Sequence, residues 1–137
     1  MGHDHNLQLL GLARKAGLLA IGGDAVSAAA RAEKAILVIS ASDASPGALR
    51  RAGYITETSR AINVIVPYTK FELGSITGRG SPGTIAVLDA GLAAGFMKGL
   101  AGMDPERYEE AAKQLAGKVG ILTKKDKPTA TKRRTAQ

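Results

Sequence analysis

An α/β fold is what this sequence predicts: a three-layer α/β/α sandwich around a four-stranded mixed sheet, followed by a C-terminal helix and a basic tail. Three observations predict it. First, the runs "AILVISA" (35–41), "INVIVPY" (62–68) and "TIAVLD" (84–89) are rich in β-branched and aliphatic residues. Each is nearly continuous in apolar residues, as strands covered on both faces are, instead of alternating. Second, segments with helix-start and helix-stop residues separate them. Third, "LLAI" (18–21) supplies a short extra strand between the first two helices, so helices and strands alternate along the chain.

The elements follow in order. Asn6 caps "LQLLGLARKA", which Gly17 ends. Gly23 or Asp24 starts an alanine-rich helix in "GGDAVSAAARAEK". Ser45, with Pro46 at the first helical position, opens "GALRRAGYITETSR". Thr69 and Glu72 form a capping box for a short helix that breaks near Gly78, and Asp89 starts "AGLAAGFMKGLA". After Met103, Asp104 caps and Pro105 opens an acidic-faced helix. These signals divide the chain into a flexible leader (1–5), an α/β/α domain (6–103), an appended helix (104–117) and a basic, disordered tail (118–137).

Composition bounds the function. The chain has 137 residues, 45% of them hydrophobic and 23% charged, the balance of one soluble domain. It has no cysteine, which excludes disulfides, thiolate metal sites and cysteine nucleophiles and fits a reducing cytoplasm. Its apolar runs are shorter than the ~20 residues of a membrane span, so no membrane partner is expected. The formal net charge is +7, and +4 of it falls in residues 104–137. "KKDKPTATKRR" sets Lys124, Lys125, Lys127, Lys132, Arg133 and Arg134 against one acid, without apolar periodicity. It reads either as a solubilising tail or as an arm that contacts a polyanion.

Enzymatic signals are sparse. The two histidines, His3 and His5, lie in "MGHDH" with only Asp4 between them, too few fixed ligands for a metal. A histidine-based triad in the core is therefore excluded. "GRGSPG" (78–83) runs into a strand and lacks the Gly-Lys-Ser/Thr ending of a phosphate loop, and "GLAAG" (91–95) falls inside a helix, where small residues serve close packing. No catalytic residue, metal, cofactor or small-molecule substrate is expected.

What remains is a surface suited to a phosphate backbone. Gly22 and Gly23 leave the first N–H groups of the alanine-rich helix accessible at the positive end of its dipole. Arg14 and Lys15 stand close in sequence, and Arg79 rises from the glycine-rich loop. Each also has a plain structural reading: Arg14 and Lys15 neutralise a helix C-terminus, and Arg79 solvates a loop.

"LLGLARKAG", "GGDAVSAAARAEKAILVISASDAS" and "ITGRGSPGTIAVLDAGLA" together resemble the bacterial YlxQ-like branch of the ribosomal-protein superfamily that binds kink-turn RNA in archaea and eukaryotes. The resemblance spans about residues 6–100. It implies strand order 1-4-2-3 with an antiparallel fourth strand, which makes "TIAVLD" an interior strand. It also implies a non-catalytic protein that binds structured RNA, ribosomal or related, at the start of the alanine-rich helix and at the loop before the last strand. By position the contacts fall on Gly22, Gly23, Asp24, Ala25, Ser27, Ala28 and Arg31, and on Gly78, Arg79, Gly80, Ser81 and Pro82. Asp43 and Ser45 in "SDAS" also match the branch, and serve the turn and the cap.

Kink-turn binders of this superfamily place Asn, Glu and Lys where this chain has Asp24, Ala25 and Ala28. Asn donates to purine acceptors, whereas ionised Asp only accepts and Ala does neither. Recognition is thus expected to rest on backbone and shape more than on bases. The other class consistent with the sequence is a protein-interaction module of the translation or RNA-processing machinery, docked through the acidic helix and tail.

Overall fold

The alternation of apolar runs and capped segments becomes six helices and four strands in a computed structural model that describes residues 2–78 and 80–126, and side chains within 5–78 and 80–117. In chain order they are α1 (Gly2–Lys15), β1 (Leu19–Ile21), α2 (Gly23–Arg31), β2 (Leu37–Ser40), α3 (Pro46–Glu57), β3 (Ile62–Ile65), α4 (Lys70–Thr77), β4 (Thr84–Val87), α5 (Ala90–Met103) and α6 (Pro105–Asp126). The sheet order is β1-β4-β2-β3. β4 is antiparallel to both neighbours, while β2 and β3 run parallel. Every residue of β2 and β4 is buried, which explains why those two runs show no alternation.

The two faces of the sheet differ in the size of what covers them. Leu37, Ile39, Ile62, Val64, Ile85 and Val87 point into a cluster with Leu10, Leu73, Phe96, Met97, Leu100, Tyr108 and Leu115, so α1, α4, α5 and α6 form the thicker layer. Each large side chain fully buried there contributes ~1.5–3 kcal/mol of transfer free energy. On the other face Ala20, Val38 and Ala86 meet Val26 and Ala30 of α2 and Ala52 and Ile55 of α3. The small side chains let these two helices lie close to the strands. Part of the alanine content of α2 is therefore packing: Ala30 is buried, whereas Ala25 and Ala28 are exposed.

The expected caps recur with some changes. Ser45 Oγ accepts from Ala48 N at 3.1 Å, Asp89 Oδ2 from Leu92 N at 2.9 Å, and the Thr69–Glu72 capping box is complete. Asn6 is not a cap. α1 begins at Gly2, inside the expected leader, so Asn6 lies within the helix and is buried; its Nδ2 donates to Tyr68 Oη at 3.1 Å. A polar group at that depth needs such a partner. α5 makes room for it at Gly99, where any side chain would collide with the Asn6 amide. At the other end α6 continues to Asp126, nine residues past 117, so Lys124 and Lys125 belong to a helix and not to the tail. α6 packs against β3, one of the two edge strands, where Tyr108 Oη donates to Ile65 O at 3.0 Å.

Candidate nucleic-acid interface

Strand direction decides which loops meet. In the ladder Ile21 faces Ile85, Ser40 faces both Thr84 and Ile65, and so the ends of β1, β2 and β3 and the start of β4 share one edge. The ladder continues one step beyond the strands, with Gly22 N donating to Thr84 O and Ala41 N donating to Gly83 O, both at 2.9 Å. Those two bonds fasten the start of α2 and the turn after β2 to the end of the glycine-rich loop.

At the start of α2 the N-cap is Gly22, not Gly23 or Asp24. Its backbone, φ 94° and ψ 157°, lies in a region open essentially to glycine alone. The first helical bond runs from Val26 N to Gly22 O, and no side chain caps the helix. The N–H groups of Gly23, Asp24 and Ala25 thus precede the hydrogen-bonded ladder and carry the positive end of the dipole. α3, α4, α5 and α6 all have a side-chain oxygen at this position. Asp43 adds a cap from 27 residues away in the sequence, accepting from Lys70 N at 2.8 Å.

The structure adds Arg51, which no sequence signal placed here. It stands on α3, and its Nη2 donates to Asp24 Oδ1 at 3.0 Å and Ser27 Oγ at 3.2 Å. Its Nη1 lies so near Gly23 that a β-carbon there would come within 2.7 Å of it. Asp24 itself is fully exposed. The only advance sign of this pair is the double arginine at 50–51, because the two partners lie 27 residues apart.

The remaining expected residues divide between the two helical layers. Arg14 meets the glycine-rich loop: a β-carbon on Gly78 would lie 3.3 Å from its Nη2. Gly78 is the left-handed C-cap of α4, and Gly80 packs its carbonyl directly on Gly74 beneath. Gly80 and Ser81 are exposed. Lys15 lines a shallow hollow with Gln8, Gly11, Leu12, Arg14 and Ile76. Arg31 is not brought to this cluster. It ends α2, about 12 Å along the helix axis from Gly23 at ~1.5 Å per residue, on the layer opposite Arg14. Arg79, Lys127, Lys132, Arg133 and Arg134 lie outside the described residues, as do the side chains of Lys124 and Lys125.

Among the described residues no three His, Asp or Glu side chains group as a metal site, and no helix is long and apolar enough to cross a membrane. No family model matches the chain, and no curated protein matches it. Its fold has solved counterparts. One is a protein of unknown function from Bacillus halodurans, with a TM-score of 0.63 and 27% sequence identity, over 69% of this chain and 95% of that one. The likeness extends over nearly the whole of that protein.

Proposed function

We propose that this chain is a non-catalytic RNA-binding protein of the kink-turn superfamily's YlxQ-like branch, acting in the cytoplasm on structured RNA such as ribosomal RNA. One observation carries the reading. The bond from Gly22 N to Thr84 O joins an uncapped helix N-terminus and a glycine-rich loop into one surface, with Arg14 against that loop. Phosphates are recognised by such free N–H groups, by the dipole and by arginine. The side chains at the helix start are too short to read bases, with Ala25 and Ala28 exposed and Asp24 held by Arg51.

The test is a titration of the full chain with a kink-turn RNA and with a plain duplex at one salt concentration. Both bind, and the kink-turn is preferred by less than ~10³, the lower end of specific-to-non-specific ratios for nucleic-acid readers. Arg14→Ala weakens both RNAs and lowers the slope of log affinity against log salt by about 0.7–0.9, one phosphate contact. Absence of binding to either RNA rejects the reading in favour of a protein-interaction module.

A further inference from the structure

Along the C-terminal half of α2, the seam between α2 and α3 opens into a groove. Ser27, Ala30 and Arg31 line it from α2, and Arg51, Tyr54 and Ile55 from α3, with Thr58, the C-cap of α3, and Ser59 closing the end. The spacing explains the lining: 27, 30 and 31 share one face of α2, and 51, 54 and 55 share one face of α3. The groove holds ≈ 340 Å³, within the ~300–1,000 Å³ of small-molecule clefts. Two of its lining residues are arginines and none is acidic. Two carboxylates of this layer are engaged by arginines, Asp24 by Arg51 at 3.0 Å and Glu33 by Arg60 at 3.8 Å. Tyr54 lines this groove and is 68% exposed, which leaves its ring open to solvent instead of packed into the core.

We propose that the α2–α3 groove is a subsite for an unpaired RNA nucleotide, whose base stacks on Tyr54 while Arg31 and Arg51 hold the flanking phosphates. The assignment rests on the RNA-binding reading above and extends it from backbone contact to capture of a single-stranded segment. The chemistry is that of single-strand binders: an aromatic face accepts any base, arginines track the backbone, and hydroxyls such as Ser27 and Ser59 offer hydrogen bonds without fixing the sequence. Arg51 supplies the continuity. Anchored by Asp24 and Ser27 and lying over Gly23, it borders both the helix N-terminus and the groove. Its hold on Asp24 is an exposed ion pair, weak enough for a phosphate to displace.

The experiment uses the full chain, a short unstructured RNA carrying one 2-aminopurine, and the same strand annealed into a blunt duplex. The single strand binds with quenching of the 2-aminopurine. Tyr54→Ala weakens that binding by about 5- to 140-fold, the range of one lost base stack, and removes the quenching. Tyr54→Phe preserves both, and duplex binding is unchanged in either variant. Tyr54 is exposed, so circular dichroism of the variants matches wild type. If Tyr54→Ala binds the single strand as wild type does while structured RNA is still bound, the groove assignment falls and the RNA-binding reading stands. If the single strand binds through Tyr54 and no structured RNA binds, the reverse holds. Displacement of the single strand by polyglutamate as readily as by polyuridylate makes the groove a plain anion surface and overturns the proposal.

Discussion

At the scale of single residues, Asp24 works against the RNA-binding role proposed for the surface it stands on. Its carboxylate is fully exposed at the start of α2 and ties up the Nη2 of Arg51. Asp24→Asn removes one negative charge from the proposed path of a phosphate backbone and turns the Arg51 ion pair into, at most, a neutral hydrogen bond, with the contact to Ser27 unchanged. The variant is expected to bind duplex RNA several-fold more tightly, with the salt slope steeper by about 0.7–0.9, as one more phosphate is neutralised. The loss in stability is small, because the ion pair is exposed and screened by solvent. Anisotropy titrations at two salt concentrations with a thermal melt check it; unchanged affinity would show that Asp24 is not on the RNA path.

At the scale of elements, two tyrosines tie helices of the thicker layer to the β3 end of the sheet. Tyr68, in the turn from β3 to α4, receives a hydrogen bond from Asn6 of α1, and Tyr108 of α6 donates to Ile65 of β3. Burial, the foremost cause for both, raises each phenol above its ordinary value of 10.0. An unfolded chain therefore releases these protons at a lower pH than the folded one. Their contribution to stability is fully present below pH 10 and is lost as the pH rises through the folded values. Thermal melts should be insensitive to these groups near neutrality and shift downward above about pH 10. Tyr108→Phe should cost about 1 kcal/mol at neutral pH from the lost hydrogen bond, while lessening the alkaline decline. An equal alkaline decline in that variant would place the titrating group elsewhere.

At the scale of the whole molecule, the proposed RNA binding divides into a contribution from the folded surface and one from the C-terminal charge, and the two are separable by experiment. α6 extends to Asp126, so the informative truncation removes residues 127–137, taking Lys127, Lys132, Arg133 and Arg134. If those residues contact only phosphates, affinity for every RNA falls by a similar factor and the ratio between kink-turn and duplex is unchanged. The salt slope flattens by about 2–3 units for three or four lost contacts. Loss of the ratio on truncation would move shape recognition from the α/β/α domain to the tail.

The sequence by itself determined the element order, the interior position of β4 once the resemblance was drawn, and four caps: Ser45, the Thr69–Glu72 box, Asp89 and Asp104. These are local signals, set by which side chain can reach an N–H two or three residues ahead and by whether a run is apolar on one face or both. Tertiary structure alone decided the pairings across long separations. It placed Asn6 in the core against Tyr68, 62 residues away. It also carried Arg51 across to Asp24, set Arg14 against Gly78, and sent Arg31 to the far end of α2, into a groove with Tyr54. No periodicity encodes those meetings, because they depend on how two helices settle on the same sheet face. α2 and α3 come close there because Ala20, Ala30, Ala52 and Ala86 leave little side chain between helix and strand.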